Sequence, residues 1–251
     1  MWDYVRFYSV VQAQGKKLRK TWKEKLQKNV MEIDKDHDLP VDPKVAKLFF
    51  EYLDEREADL RTATDLLRSE EEALAYCDRL GVEVTNTRTR SQDHHQSSKA
   101  LVAAVSYIAG EHRRSRGLKV DVAPTRRCVW LEGNHLHVTA RNIDGAIPSL
   151  ESPEAIWEIK EYWGKTKGGS KMSDAVYECA LVGRELREFE ERTSAPHVLH
   201  IAFVDGKEQW SHRVSDLRRF IDLFHQGIID HLMVGRDVER EWKKLLCSHF
   251  P

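Results

Sequence analysis

The chain has 251 residues, 41% of them apolar and 32% charged, with a formal net charge of −1. That length suits one large domain or two small ones with a well-buried core. The balanced charge excludes a uniformly basic nucleic-acid binder, so any such contact must come from local clustering. Four scattered cysteines (Cys77, Cys128, Cys179, Cys247) match no zinc spacing and read as reduced thiols of a cytoplasmic protein. No run approaches the roughly 18 apolar residues of a membrane span. The opening MWDYVRFYSVV is broken by Asp3 and Arg6 with no small-residue cleavage site after it, so neither membrane insertion nor secretion is expected.

Residues 2–30 carry apolar positions at three-to-four spacing (Val10, Leu18, Trp22, Leu26, Val30), which predicts an amphipathic helix with a lysine-rich outer face. That face reads as solvated or as a phosphate-contacting surface. The acidic, proline-bearing 34–43 reads as a connection. Asp42-Pro43 then starts a second helical run through Phe49, Leu53, Leu60, Leu67 and Cys77, stopping at Gly81. An all-α region over 1–95 is therefore expected, suited to dimer contacts or a grip on DNA. Residues 83–97 are polar and aperiodic, a loop between regions; Asp93-His94-His95 inside it lacks the buried strand that a phosphoesterase signature requires.

Beyond residue 96 the pattern changes. Ser98 stands as cap to a helix with Leu101, Val105 and Ile108 on one face, ending before Gly117. Strand-like runs follow at 118–123, 128–131 and 135–143, with a hairpin turn at Gly133-Asn134. Another strand covers 155–160, followed by the basic, glycine-rich GKTKGGSK at 164–171. A long helix begins near Ser173, an apolar strand spans 198–204, a helix 214–225, a strand 228–234 and a closing helix 238–246.

In IDGAIPSLESPEAIWEIK (143–160), side-chain alternation sends Trp157 and Ile159 one way and Glu158 and Lys160 the other. Asp144, fourteen residues before Glu158, closes the preceding strand. Two carboxylates and an ammonium at one sheet edge suit a hard cation and an anionic substrate. The rival reading makes Glu158 and Lys160 solvent-facing charges on an amphipathic strand and Asp144 a turn residue before Gly145. Glycine and lysine positions in 164–171 fail the Walker pattern, so Lys165, Lys167 and Lys171 read as DNA-backbone contacts, with Ser173 at the following helix start as a cap or a phosphate ligand. His135 and His137 share a strand face without a third zinc ligand at suitable spacing.

The order helix, strands, strand, helix, strand from Ser98, with Asp144 and Glu158-Ile159-Lys160 on neighbouring strands, resembles the PD-(D/E)XK nuclease superfamily, and most of all type II restriction endonucleases. The resemblance covers roughly 98–205; Ile143 stands where many members have proline. It implies an α/β (α+β) fold with a restriction-endonuclease-like αβββαβ core and mixed central sheet over 96–251. It further implies a Mg²⁺-dependent DNA endonuclease (Mn²⁺ substituting) acting on double-stranded DNA as a homodimer. Asp144, Glu158 and Lys160 are then catalytic. Asp144, Glu158 and the Ile159 carbonyl hold the metal, with Glu111 as a fourth ligand from the preceding helix. The alternatives are a DNA-binding or assembly module without turnover on the same fold, and a repair or RNA-processing nuclease.

Overall fold

A computed structural model describes residues 8–9, 11, 21–22, 26–27, 30–34, 37–86, 97–117, 119–164 and 170–251. Two compact units emerge, Met1–Asp59 and Leu60–Pro251. The boundary expected near residue 95 falls inside the second unit.

The first unit holds a three-stranded antiparallel sheet, β1 (Leu26–Gln27), β2 (Val30–Asp34) and β3 (His37–Pro40). The all-α expectation for 1–95 is therefore corrected: the middle of the acidic stretch that reads as a connection is itself the strand β3, paired with β2 so that Val30 lies opposite Pro40 and Met31 opposite Leu39. Val30 and Ile33 are β-branched and favour that state. Helix α1 (Pro43–Leu66) starts at the expected proline. In this unit Val41, Ala46, Phe50 and Leu53 are buried around Val11, and the Trp22 ring stacks on Phe50 at 4.8 Å between centroids.

The expected single run from 43 to 81 is interrupted at 67–69, where α2 (Glu70–Leu80) begins. Ser69 and Glu72 form a reciprocal capping box, a signal present in the sequence as S-x-x-E. Gly81 ends α2 in the left-handed conformation, as expected. Between the two helices Arg68 is almost fully buried. Its backbone N–H and Nε both donate to Asp205, and its Nη1 donates to Glu239 at 2.9 Å.

The second unit is mixed α/β around a mixed five-stranded sheet. Its strands are β4 (Asp121–Arg126), β7 (Ile143–Ile147), β8 (Ala155–Glu161), β9 (Leu199–Asp205) and β10 (His231–Val234), in spatial order β10-β9-β8-β7-β4. β4, β7 and β8 pair antiparallel; β8, β9 and β10 run parallel. Helix α3 (Ala100–Arg116) precedes the sheet, α4 (Ser170–Thr193) joins β8 to β9, and α5 (Lys207–His212) and α6 (Val214–His225) join β9 to β10. Helices α7 (Asp237–Arg240) and α8 (Trp242–His249) divide the expected closing helix in two.

The long strand expected over 135–143 divides as well. Its first part is β6 (His135–Val138), which pairs only with β5 (Val129–Glu132) in a hairpin through Gly133-Asn134. Thr139 breaks the run: its hydroxyl accepts the Cys128 N–H and donates to the Arg141 carbonyl. Ser98 does not cap α3. Lys99 occupies the N-cap without a side-chain bond, and the Leu101 N–H donates to Glu161 of β8. No described helix is long and apolar enough to cross a membrane.

Candidate active site

β8 is the middle strand, not a sheet edge, and it is buried from Ala155 through Lys160. Trp157 packs edge-on against Trp242 of α8, and Ile159 joins the same apolar cluster. Alternation turns Glu158 and Lys160 to the opposite face, towards α4, leaving them only 1% and 9% exposed. The rival reading of solvent-facing charges therefore does not hold.

Isolated charges at that depth would cost several kcal/mol each; here they are joined in a chain of alternating sign. Lys160 Nζ lies 2.9 Å from Glu158 Oε2 and 2.9 Å from Glu178 Oε2. Glu178 Oε1 is paired with Arg141 at 2.7 Å. Glu158 Oε1 faces His200 Nε2 at 3.3 Å, and His200 Nδ1 faces the Ile228 carbonyl at 3.0 Å. His200 thus spans the gap between the Glu158 carboxylate and the backbone of the turn after α6.

Burial by itself would raise the Glu158 carboxyl, yet the His200 hydrogen bond and the Lys160 charge outweigh it and hold the group at about 2. Burial would lower Lys160, but the Glu158 charge and the bonds to both glutamates push it above its ordinary value. Lys160 is thus a fixed ammonium. Cys179, against the same pair, is kept a thiol by burial.

Asp144 is the second residue of β7 rather than its end, and its Oδ2 accepts the Ile159 N–H at 2.8 Å. Burial raises its carboxyl, with the charge of Glu158 adding to the rise and the Ile159 N–H and Lys160 opposing it. The two carboxylates therefore feel one another across β7 and β8. The approach of the strands depends on Gly145, which pairs with Trp157. A Cβ there would lie 1.9 Å from the indole ring, so no larger residue fits without displacing β7 or Trp157.

Of the other expected site residues, Glu111 is not brought to this cluster: it is exposed on α3 and pairs with Arg114 one turn on. The carboxylate that reaches Lys160 comes from α4 instead, as Glu178. Lys165 and Lys167 lie outside the described residues. Lys171 is exposed in the first turn of α4, where its carbonyl accepts the Tyr162 hydroxyl. Ser173 neither caps nor stands free. α4 begins three residues earlier, and the Ser173 hydroxyl donates to Asp216 and accepts from Arg213. His137 stacks on Phe189 at 5.1 Å beside Trp130, an ordinary packing role.

Sequence reasoning missed Glu178, Arg141 and His200. His200 had a signal: it interrupts an otherwise apolar strand, where a polar residue needs a buried partner. Glu178 and Arg141 had none, since nothing local says which helix turn or which loop meets β8.

Residues 55–249 match a family described as a domain of unknown function, DUF7687. The chain belongs to this family. No curated protein and no solved structure matches it. The family match takes in α2, α3, the whole central sheet and every member of the Arg141–Glu178–Lys160–Glu158–His200 chain.

Proposed function

We propose that the chain is a metal-dependent endodeoxyribonuclease of the PD-(D/E)XK, restriction-endonuclease-like type, hydrolysing phosphodiester bonds of double-stranded DNA. The observation that carries it is the buried Glu158–Lys160 pair on the middle strand with the Asp144 carboxylate beside it. Perturbed, desolvated charges cluster where proteins do chemistry. The order α3, β4, β7, β8, α4, β9, with β7 antiparallel and β9 parallel to β8, supports the same core.

The donor set fits Mg²⁺. Among the described residues no group of three or more His, Cys, Asp or Glu side chains is arranged to hold a metal, but Mg²⁺ is held through one or two carboxylates and keeps several waters. Asp144 and Glu158 would hold it, with the Ile159 carbonyl completing the set. Bound there, the ion supplies an activated water and offsets charge on the phosphoryl oxygens. The chain's own contribution is positional. Glu178 and Glu158 fix the Lys160 ammonium where it donates to a phosphate oxygen, and its raised affinity for its proton makes it a charge donor rather than a base. His200 keeps Glu158 ionised. A homodimer would cut both strands of a two-fold site.

Incubation of plasmid and long unmodified DNA with Mg²⁺ or Mn²⁺ tests the proposal. Cutting that needs the metal, falls at least a hundredfold in Lys160→Ala, falls in Glu178→Gln and persists in Glu111→Gln is expected. Equal cutting by wild type and Lys160→Ala refutes it. One observation favours a second reading, a DNA-binding module without turnover: both Glu158 oxygens are already engaged, by Lys160 and His200. A gel shift with no cutting of duplex, single-stranded or structured RNA substrates selects that reading.

A further inference from the structure

Tyr177, on the turn of α4 that also carries Glu178, is 62% exposed, and Leu181 one turn later is 49% exposed. Large apolar side chains are unusual on the solvent stripe of a helix whose other face fills the core. Beside them α6 and the residue before it contribute a cationic cluster. Arg213 and Arg219 both pair with the single carboxylate of Asp216, at 2.6 Å and 3.1 Å, and Arg213 also donates to Ser173. Asp216 is buried while Arg219 is nearly half exposed, so one anion braces two cations and leaves net positive charge at the surface. The Arg219 guanidinium lies 5.9 Å from the centre of the Tyr177 ring. Exposed Lys171 and Arg184 extend the positive character along α4. Of the nearby acids, Glu178 is already paired with Lys160 and Arg141, and Asp174 stands exposed in the second turn of α4.

We propose that this face of α4 and α6 binds a nucleic-acid strand with an unpaired base, which stacks on Tyr177 while Arg213 and Arg219 take its phosphates. Braced arginines suit phosphate, and an exposed aromatic ring beside them suits a base whose own face is free; paired bases inside a duplex offer none. A protein partner would not call for two cations braced on one carboxylate with an exposed ring against one of them. The inference rests on the nuclease reading for its purpose and narrows it: Tyr177 shares a turn of α4 with Glu178, the carboxylate that fixes Lys160, so duplex DNA carrying single-stranded segments is the substrate class it implies.

The test is fluorescence anisotropy of the full chain with a labelled oligothymidylate, the matching RNA and a duplex of the same length, with EDTA present so that no cutting occurs. Single strands are expected to bind more tightly than duplex. Tyr177→Ala should weaken single-strand binding on the order of tenfold, Tyr177→Phe should restore it, and Arg219→Gln should weaken it and reduce the salt dependence by about one phosphate contact. The DNA and RNA arms decide which strand chemistry is preferred. Wild-type affinity in Tyr177→Ala overturns the proposal, as does an equal loss on duplex and single strand. Circular dichroism melting of each variant separates lost contacts from lost folding. Silent cleavage with intact Tyr177-dependent binding removes the nuclease reading alone; metal-dependent cleavage with no effect of Tyr177→Ala removes this inference alone.

Discussion

Replacing Lys160 with methionine removes a charge and little volume from the middle of the sheet. Glu158 then remains 1% exposed, with the His200 ring still at 3.3 Å but without the ammonium beside it. Breaking a buried pair by deleting one member costs about 3–5 kcal/mol, and the surviving His200 contact argues for the lower end. The displacement of the Glu158 carboxyl from 4.5 to about 2, roughly 3 kcal/mol at about 1.4 kcal/mol per pH unit, is shared between the His200 hydrogen bond, which the substitution leaves, and the Lys160 charge, which it removes. Its sign is that of a depressed acid: the stabilisation is present above 4.5 and is lost as pH falls towards 2. Urea unfolding followed by far-ultraviolet dichroism at pH 7 should therefore place Lys160→Met about 3 kcal/mol below wild type, with a weaker loss of stability on acidification than wild type shows. The double variant Glu158→Gln, Lys160→Met should recover most of the deficit, because the amide needs no counter-charge. A Lys160→Met protein within about 1 kcal/mol of wild type, or a double variant no more stable than the single one, would refute the view that this pair is mutually dependent.

Glu161 should respond to pH in the opposite sense. Burial lifts its carboxyl to about 7, against the Leu101 N–H and Trp163 bonds that favour the ionised form. A raised acid is a benefit lost as pH increases, so between pH 4.5 and 7 wild type should forfeit up to roughly 3 kcal/mol that Glu161→Gln keeps; Tm curves of the two that stay parallel from pH 5 to 8 contradict this. Gly145→Ala should destabilise by more than about 3 kcal/mol through overpacking against Trp157, and Trp157→Ala in the same chain should relieve the clash measurably in urea melts. Ser69→Ala, which deletes half of the capping box, should cost about 1 kcal/mol in the same urea melts.

Where the chain's own chemistry is local, it was readable. The Gly133-Asn134 hairpin, the left-handed stop at Gly81 and the two-faced strand Ala155–Glu161 follow from turn preference and alternation, and each stands as expected. Alternation also carried Glu158 and Lys160 to the same side. What could not be read was decided by contacts between distant segments. Thr139 ends β6 by bonding Cys128, so Asp144 belongs to a separate strand in a different sheet. α3 is capped by Glu161, sixty residues later, rather than by Ser98. Glu111 is the one carboxylate of α3 and so the natural fourth ligand under the resemblance, but a helix has several faces, and this one turns Glu111 to Arg114. The strands at 26–40 were hidden by lysines spaced like a helix face and by acids that read as a loop.

Open sheets with parallel strands usually take their ligands in the crevice beyond the strand C-termini. In this protein that position is filled from within. The Leu66 and Arg68 carbonyls accept the N–H groups of Arg236 and Lys207, just past β10 and β9, and the Arg68 side chain is sunk against Asp205. The junction between α1 and α2 thus works as a stopper in the customary binding mouth. A substrate of the proposed kind would have to approach Lys160 from the flank instead, where Arg141 and Glu178 form the more exposed end of the charge chain and strand middles rather than strand ends lie nearest.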